Sequence, residues 1–172
     1  GGSFNNDSHH TKLRPENCAF LKDLLEKADP EKVFFVIGHR LSGYEKYLLQ
    51  ENKGRFEIFA FVPSVVTAKE REKLLNAGIS VRISIEQSGL GLYKSVSYEI
   101  FKRRPSVLLA LDGNSAGANM IQEAKNGRGG CRIFISGYSR TLRAKAASLT
   151  GYVTVFTEPR GIAEMILNFP AD

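Results

Sequence analysis

Residues 108–124, LLALDGNSAGANMIQEA, decide the fold. An apolar run stops at Asp112, passes through small residues and two glycines, and becomes a segment of helical spacing. In that segment Ala118, Ile121 and Ala124 share one face. A short continuous apolar run suits a strand covered on both sides, as in a parallel sheet. The small residues after it have a physical meaning of their own. The first turn of a helix has unpaired N–H groups and a partial positive charge, and residues without bulk leave those groups open to an anion. DGNSAG, residues 112–117, therefore has two readings. One is a phosphate-binding turn built from Gly113, Asn114 and Ser115, with Ser115 capping the helix and Gly117 keeping its first turn bare. The other is a plain strand-to-helix turn capped by Asp112. An aspartate cannot itself hold phosphate, so Asp112 either takes a ribose hydroxyl or braces the loop.

The same alternation extends in both directions. Apolar runs rich in Val, Ile and Phe occupy 33–37, 56–62, 79–85, 106–111, 131–136 and 152–156. Segments of helical spacing lie between them. The clearest is TAKEREKLLNAG, 67–78, where Thr67 and Glu70 spell a capping box and Gly78 a C-terminal stop. An N-terminal helix is expected before residue 28, with Leu21, Leu24 and Leu25 on one face. Regular strand–helix alternation predicts an α/β fold: one three-layer Rossmann-like domain, 13–172, with a mostly parallel sheet of about six strands. Residues 1–12 read as a disordered tail or a cloning remnant.

Composition agrees with one globular domain. The chain has 172 residues, 42% hydrophobic and 24% charged, enough to bury a core. No run approaches the roughly 18 apolar residues of a membrane helix, and no apolar leader opens the chain. A cytoplasmic protein without membrane contact is expected. Cys18 and Cys131 form neither a disulfide framework nor a zinc pattern and are expected to be reduced. His9 and His10 fall in the tail, and no metal site is expected. The formal charge of +6 favours anionic partners.

In open α/β sheets the ligand sits at the carboxyl ends of the strands. After the first run comes GHRLSGYE, 38–45. Gly38 ends a strand and Gly43 opens a helix, with His39, Arg40 and Ser42 between them. Arg40 has the fork geometry for phosphate. His39 is either a base, a donor to a ligand, or a hydrogen-bonded turn residue. Glu45 can reach a ribose or simply favour the helix dipole. EQSGLGLYKS, 86–95, adds Glu86 and Gly89, although a lone GxG specifies little. Ser64, after the second run, is a minor contact. Lys102, Arg103 and Arg104, and the set Arg140, Arg143 and Lys145, read as solvated helix charges before they read as a nucleic-acid patch. HExxH, Walker A and a strand-terminal GxGxxG are all missing, so no zincin, ATP or NAD motif is present.

From Lys32 to Ser136 the chain resembles the SLOG superfamily, Rossmann-like nucleotide-binding proteins that include Smf, YspA-type and LOG phosphoribohydrolase members. GHRLSGYE resembles its first glycine loop, and RPSVLLALDGNSAGANMIQEAK, 104–125, its second hallmark. The resemblance implies a nucleotide or nucleotide-derived ligand held by Gly38, Arg40, Gly43, Asp112, Gly113, Ser115 and Gly117. It also implies a homodimer. It does not carry one reaction over. The phosphoribohydrolases place a catalytic Glu where this chain has Ile121, and Gly117 is followed by Ala118 in place of Thr. An apolar side chain cannot serve as nucleophile or base. The expected function is binding or sensing of a nucleotide ligand. One alternative is a nucleotide N-glycosidic hydrolase in which His39, Glu45 or Glu86 replaces the missing acid. The other is Smf-like DNA binding, which predicts a continuous basic face and steep salt dependence.

Overall fold

The computed structural model describes residues 13–83, 94–95, 97–101, 105–113, 115–127 and 131–168. Glu86, Gly89, Asn114 and the cationic residues 102–104 lie outside the described residues.

Helix α1, Pro15–Lys27, opens with proline at its first position, where a fixed φ and a missing N–H cost nothing. Glu16 in its first turn and Lys27 in its last complement the helix dipole. The chain then alternates: β1 Phe35–Ile37, α2 Gly43–Asn52, β2 Ile58–Val62, α3 Ala68–Asn76, β3 Ser80–Ile83. A π-helical turn, Ser97–Phe101, leads to the second half: β4 Ser106–Ala110, α4 Ser115–Asn126, β5 Cys131–Ser136, α5 Arg140–Ala147, β6 Val153–Phe156, α6 Ile162–Leu167. Each of the six expected strands forms within its predicted run.

The strands pair in two parallel sheets of three, ordered β1-β2-β3 and β4-β5-β6, where a single ladder of about six was expected. Phe35 aligns with Ile58 and Phe59 with Ser80 in the first; Leu108 aligns with Ile133 and Ile135 with Val155 in the second. Parallel neighbours cannot be joined by a tight hairpin, which is why a helix separates each successive pair.

Alternate residues of a strand point to opposite faces, and here both faces are covered. Ala60 and Val62 of β2 and Phe134 of β5 join one core; Phe61 of β2 and Ile133 and Ile135 of β5 join the other. The first core rests on α1, whose Phe20, Leu21, Leu24 and Leu25 are buried, and on Ile162, Ala163 and Ile166 of α6. The Phe20 and Phe156 rings meet there at 5.3 Å. The second rests on Ile121 and Ala124 of α4 and Leu142 and Ala146 of α5. Each core draws residues from both sheets. Cys131 is buried in the second core, and that burial pushes its thiol up to about 11.

The capping box forms as read. The Thr67 hydroxyl accepts the Glu70 N–H at 3.2 Å, and the Glu70 carboxylate accepts the Thr67 N–H at 2.9 Å. Gly78, just beyond α3, takes φ +77°, the left-handed stop that glycine adopts without strain. The Thr67 N–H, and then its hydroxyl, hold the Glu70 carboxyl below its ordinary 4.5. A carboxyl depressed on folding contributes stability above its unfolded pKa and loses it as pH falls through the folded value. Thr67→Ala is expected to lower the melting temperature by roughly 2–4 °C near neutral pH. Melts repeated at about pH 3 should show that difference shrinking, because the protonated carboxyl no longer holds its share of the box.

Candidate functional site

The loop after β1 holds two residues in left-handed backbone, Leu41 at φ +51° and Gly43 at φ +60°. For a leucine this costs about 1–2 kcal/mol. Its side chain packs against the first core, which keeps it there. Ser42 occupies the cap position of α2, yet its side chain makes no cap bond. Glu45, in the first turn of α2, reaches back instead, and the Gly38 N–H donates to its Oε1 at 3.1 Å. A Cβ at residue 38 would stand 3.4 Å from Glu45 Oε2, an ordinary contact, so the carboxylate does not by itself require glycine there. His39 is half-buried and Arg40 exposed. Both face the start of α3, where their charge adds to the Thr67 hydrogen bonds in lowering Glu70.

The loop after β4 is built differently. Leu111 is buried, Asp112 half-buried, and the Gly113 N–H donates to Asp112 Oδ1 at 2.8 Å. Asp112 thus braces its own loop, one of the two roles anticipated for it. Helix α4 starts on Ser115 itself, which makes this residue the first of the helix and not its cap. Gly117 also has a packing role: a Cβ there would lie 3.3 Å from Leu142 Cδ2, so its absence lets α4 lie close against α5. Ile121, at the position where the resemblance puts a catalytic acid, is fully buried in the second core.

A buried polar network ties these two loops together, and sequence reasoning missed it. Asn17 is 1% exposed. Its Nδ2 donates to Tyr44 Oη and to the Leu111 carbonyl, both at 3.2 Å, while its Oδ1 accepts the Ser136 hydroxyl at 2.9 Å. Tyr44 Oη also accepts the Arg14 N–H at 2.9 Å. One amide in the first turn of α1 therefore touches the start of α2, the exit of β4 and the exit of β5. Burial pushes the Tyr44 phenol up; the Arg14 N–H and the Asn17 amide oppose this, and the nearby Asp112 charge adds to it. Beside the network the Arg14 guanidinium lies over the Tyr138 ring at 4.8 Å, and Tyr138 Oη donates to the Thr157 carbonyl at 2.7 Å. The signal for Asn17 was present in the sequence. It falls on the same helical stripe as Leu21 and Leu24, a polar residue where the period demands an apolar one.

The remaining candidates stand apart. Ser64 is exposed in the turn after β2. Arg140 and Arg143 are exposed, whereas Lys145 donates to Gln122 Oε1 at 2.6 Å and so turns toward α4 and away from a shared basic face. Among the described residues no His, Cys, Asp and Glu side chains are grouped to hold a metal ion, and no helix is long and apolar enough to cross a membrane. Comparison with protein-family models, curated proteins and solved structures yields no match for this chain.

Asn17→Leu keeps the side-chain size but leaves the Ser136 hydroxyl, the Tyr44 hydroxyl and the Leu111 carbonyl each short of a partner. Stranded buried polar groups cost about 1–3 kcal/mol apiece; Tyr44 Oη keeps the Arg14 N–H, so the other two predict a loss of roughly 2–6 kcal/mol in urea unfolding, at an unchanged slope. A loss under about 0.5 kcal/mol, the size of an ordinary surface change, would show that the network holds nothing.

Proposed function

We propose that this chain binds a nucleotide or nucleotide-derived ligand at the carboxyl ends of β1 and β4, in the manner of a SLOG-like binding or sensing domain. The two parallel sheets are read as halves of one doubly wound sheet, ordered β3-β2-β1-β4-β5-β6. Support comes from Val36 of β1 and Phe61 of β2, which pack in the same core as Leu108 and Ala110 of β4. In that order β1 and β4 flank the point where strand order reverses, the place where α/β sheets take their ligands.

The observation that carries the reading is the Asn17 bridge. Its single amide reaches both the helix that follows the first glycine loop and the carbonyl at the head of the second. The two segments that resemble nucleotide-binding loops, some seventy residues apart in the chain, are thereby neighbours in space. Arg40 stands exposed on the first and offers a fork to phosphate. Helix α4 follows the second with no acidic residue in its own first turn, and α5 has none either, while the Asp112 carboxylate ahead of α4 accepts the Gly113 N–H of its own loop. Buried Ile121 favours binding without turnover, since no acid stands at that position to act on a glycosidic bond.

The test is a thermal-shift titration against mononucleotides, cyclic nucleotides, ADP-ribose and NAD, each recovered and chromatographed afterwards. The expected result is stabilisation by at least one of them, with the ligand recovered intact. Arg40→Ala should weaken that ligand by about tenfold, the worth of one charge-assisted contact to phosphate. Recovery of free base and sugar phosphate would make the chain a glycosidic enzyme instead. Silence across the panel, with DNA binding that falls steeply as salt rises, would move the assignment to nucleic acid.

A further inference from the structure

Arg132 is a charged residue in the middle strand of a parallel sheet, where cover on both faces favours apolar side chains. It shares a face of β5 with Phe134, and its guanidinium lies 5.2 Å from that ring. From there it runs on to α6. One terminal nitrogen donates to the Met165 carbonyl at 2.7 Å, the other to the Ile166 and Asn168 carbonyls at 3.3 and 3.2 Å. Carbonyls at this end of a helix have no partners within it and carry its negative pole. Helix α6 has little of its own to hold it. It is six residues long, well short of what persists alone in water. Gly161 ahead of it offers no side chain as a cap and sits at φ +80°. What holds α6 lies outside it: Ile162, Ala163 and Ile166 in the first core, Glu164 bonded to Lys27 of α1, and the fork of Arg132. Undocking this helix therefore melts it, with Gly161 as the hinge.

We propose that α6 is a strap that opens as one unit when Arg132 lets go, and that its opening loosens α1 and the Asn17 bridge that α1 carries. The two helices lean on each other. Phe20, Leu21, Leu24 and Leu25 share the first core with the apolar face of α6, and Lys27, bonded within α1 to Asp23, reaches across to Glu164. Without α6, α1 loses an apolar neighbour and the ion pair at its last turn. Its first turn holds Asn17, whose amide fixes the start of α2 and the exits of β4 and β5. A helix is a stiff element, so slackness at one end is felt at the other. Elements with few buried residues of their own are the ones that open below the global unfolding free energy. The strap is thus a regulatory handle, remote from the two glycine loops, whose state sets how firmly they are held together. This concerns the loops whatever they bind, and stands apart from the nucleotide reading.

Amide hydrogen exchange on the whole chain, read by mass spectrometry, tests this with two variants that open the strap from opposite sides. Arg132→Ala removes the fork. Ala163→Glu leaves Arg132 intact but puts a charge where the side chain is fully buried, so that α6 cannot dock. In the wild type, amides of 162–168 should exchange faster than those of 131–136 in β5. Arg132→Ala should speed 162–168 by about 10- to 100-fold, the worth of charge-assisted hydrogen bonds, and Arg132→Lys, which keeps the charge without the fork, by less. In both Arg132→Ala and Ala163→Glu, peptides from α1 and from the start of α2 should quicken with the strap while 131–136 stay protected. If 162–168 exchange only as slowly as β5 in the wild type, or if both variants are unfolded, α6 is a fixed part of the core and the strap is overturned. If α6 opens in the variants and α1 and α2 stay as protected as before, the link to the Asn17 bridge is overturned.

Discussion

One carboxamide organises the carboxyl end of this molecule. Asn17 is enclosed by three elements that are remote in sequence, and a buried amide with open valences would cost more than most single contacts return. All three of its bonds are made to groups fixed by other structure: a tyrosine at a helix start, a strand-end carbonyl and a strand-end hydroxyl. Its position therefore constrains theirs. An apolar residue in its place would pack, but it would leave the register between α1 and the two strand exits unspecified. Polar networks inside a core act in this way when every member is satisfied, and no buried side-chain polar atom is left without a partner among the described residues.

That constraint explains why strain can persist nearby. Leu41 holds a left-handed backbone in the loop between β1 and α2, with its side chain against the core and Glu45 clasping the strand end across the turn. A turn tied at both ends can maintain a conformation that a free turn would leave. The loop after β4 is tied more locally, through Asp112 and Gly113, and its glycine at 117 answers to the packing of α4 on α5. Two loops that look alike as strings of small residues are thus maintained by different forces: one by a carboxylate seven residues on, the other by a helix interface.

The strands were legible in the sequence because burial on both faces leaves a continuous apolar run, and the start of α3 was legible because a capping box is satisfied within four residues. Both signals are local. The division into two sheets was not, since hydrogen bonding between β1 and β4 depends on backbone approach and not on side-chain pattern. The glycines carry a related ambiguity. Bareness at 38 and 117 looks the same whether a phosphate, a carboxylate or a leucine methyl fills the space. A Cβ at 117 would crowd Leu142 at 3.3 Å, whereas one at 38 would meet Glu45 at an ordinary 3.4 Å, and no sequence pattern separates those cases. Asn17 announced itself as a polar residue on an apolar stripe, but its partners lie 27, 94 and 119 residues away, beyond any periodicity.

The last of those separations bears on how the chain is born. Helix α1 emerges from the ribosome 119 residues ahead of Ser136. At ordinary synthesis rates that is a wait of about 6 to 24 s. Throughout it Phe20, Leu21, Leu24 and Leu25 have the first half of the core to lean on, yet the Asn17 amide still lacks its carbonyl and its serine. Helix α1 thus waits on two strand exits that are made long after it. Nascent chains stalled before residue 111 should keep it loosely docked, a natural hold for a chaperone that recognises an apolar helix still seeking its place.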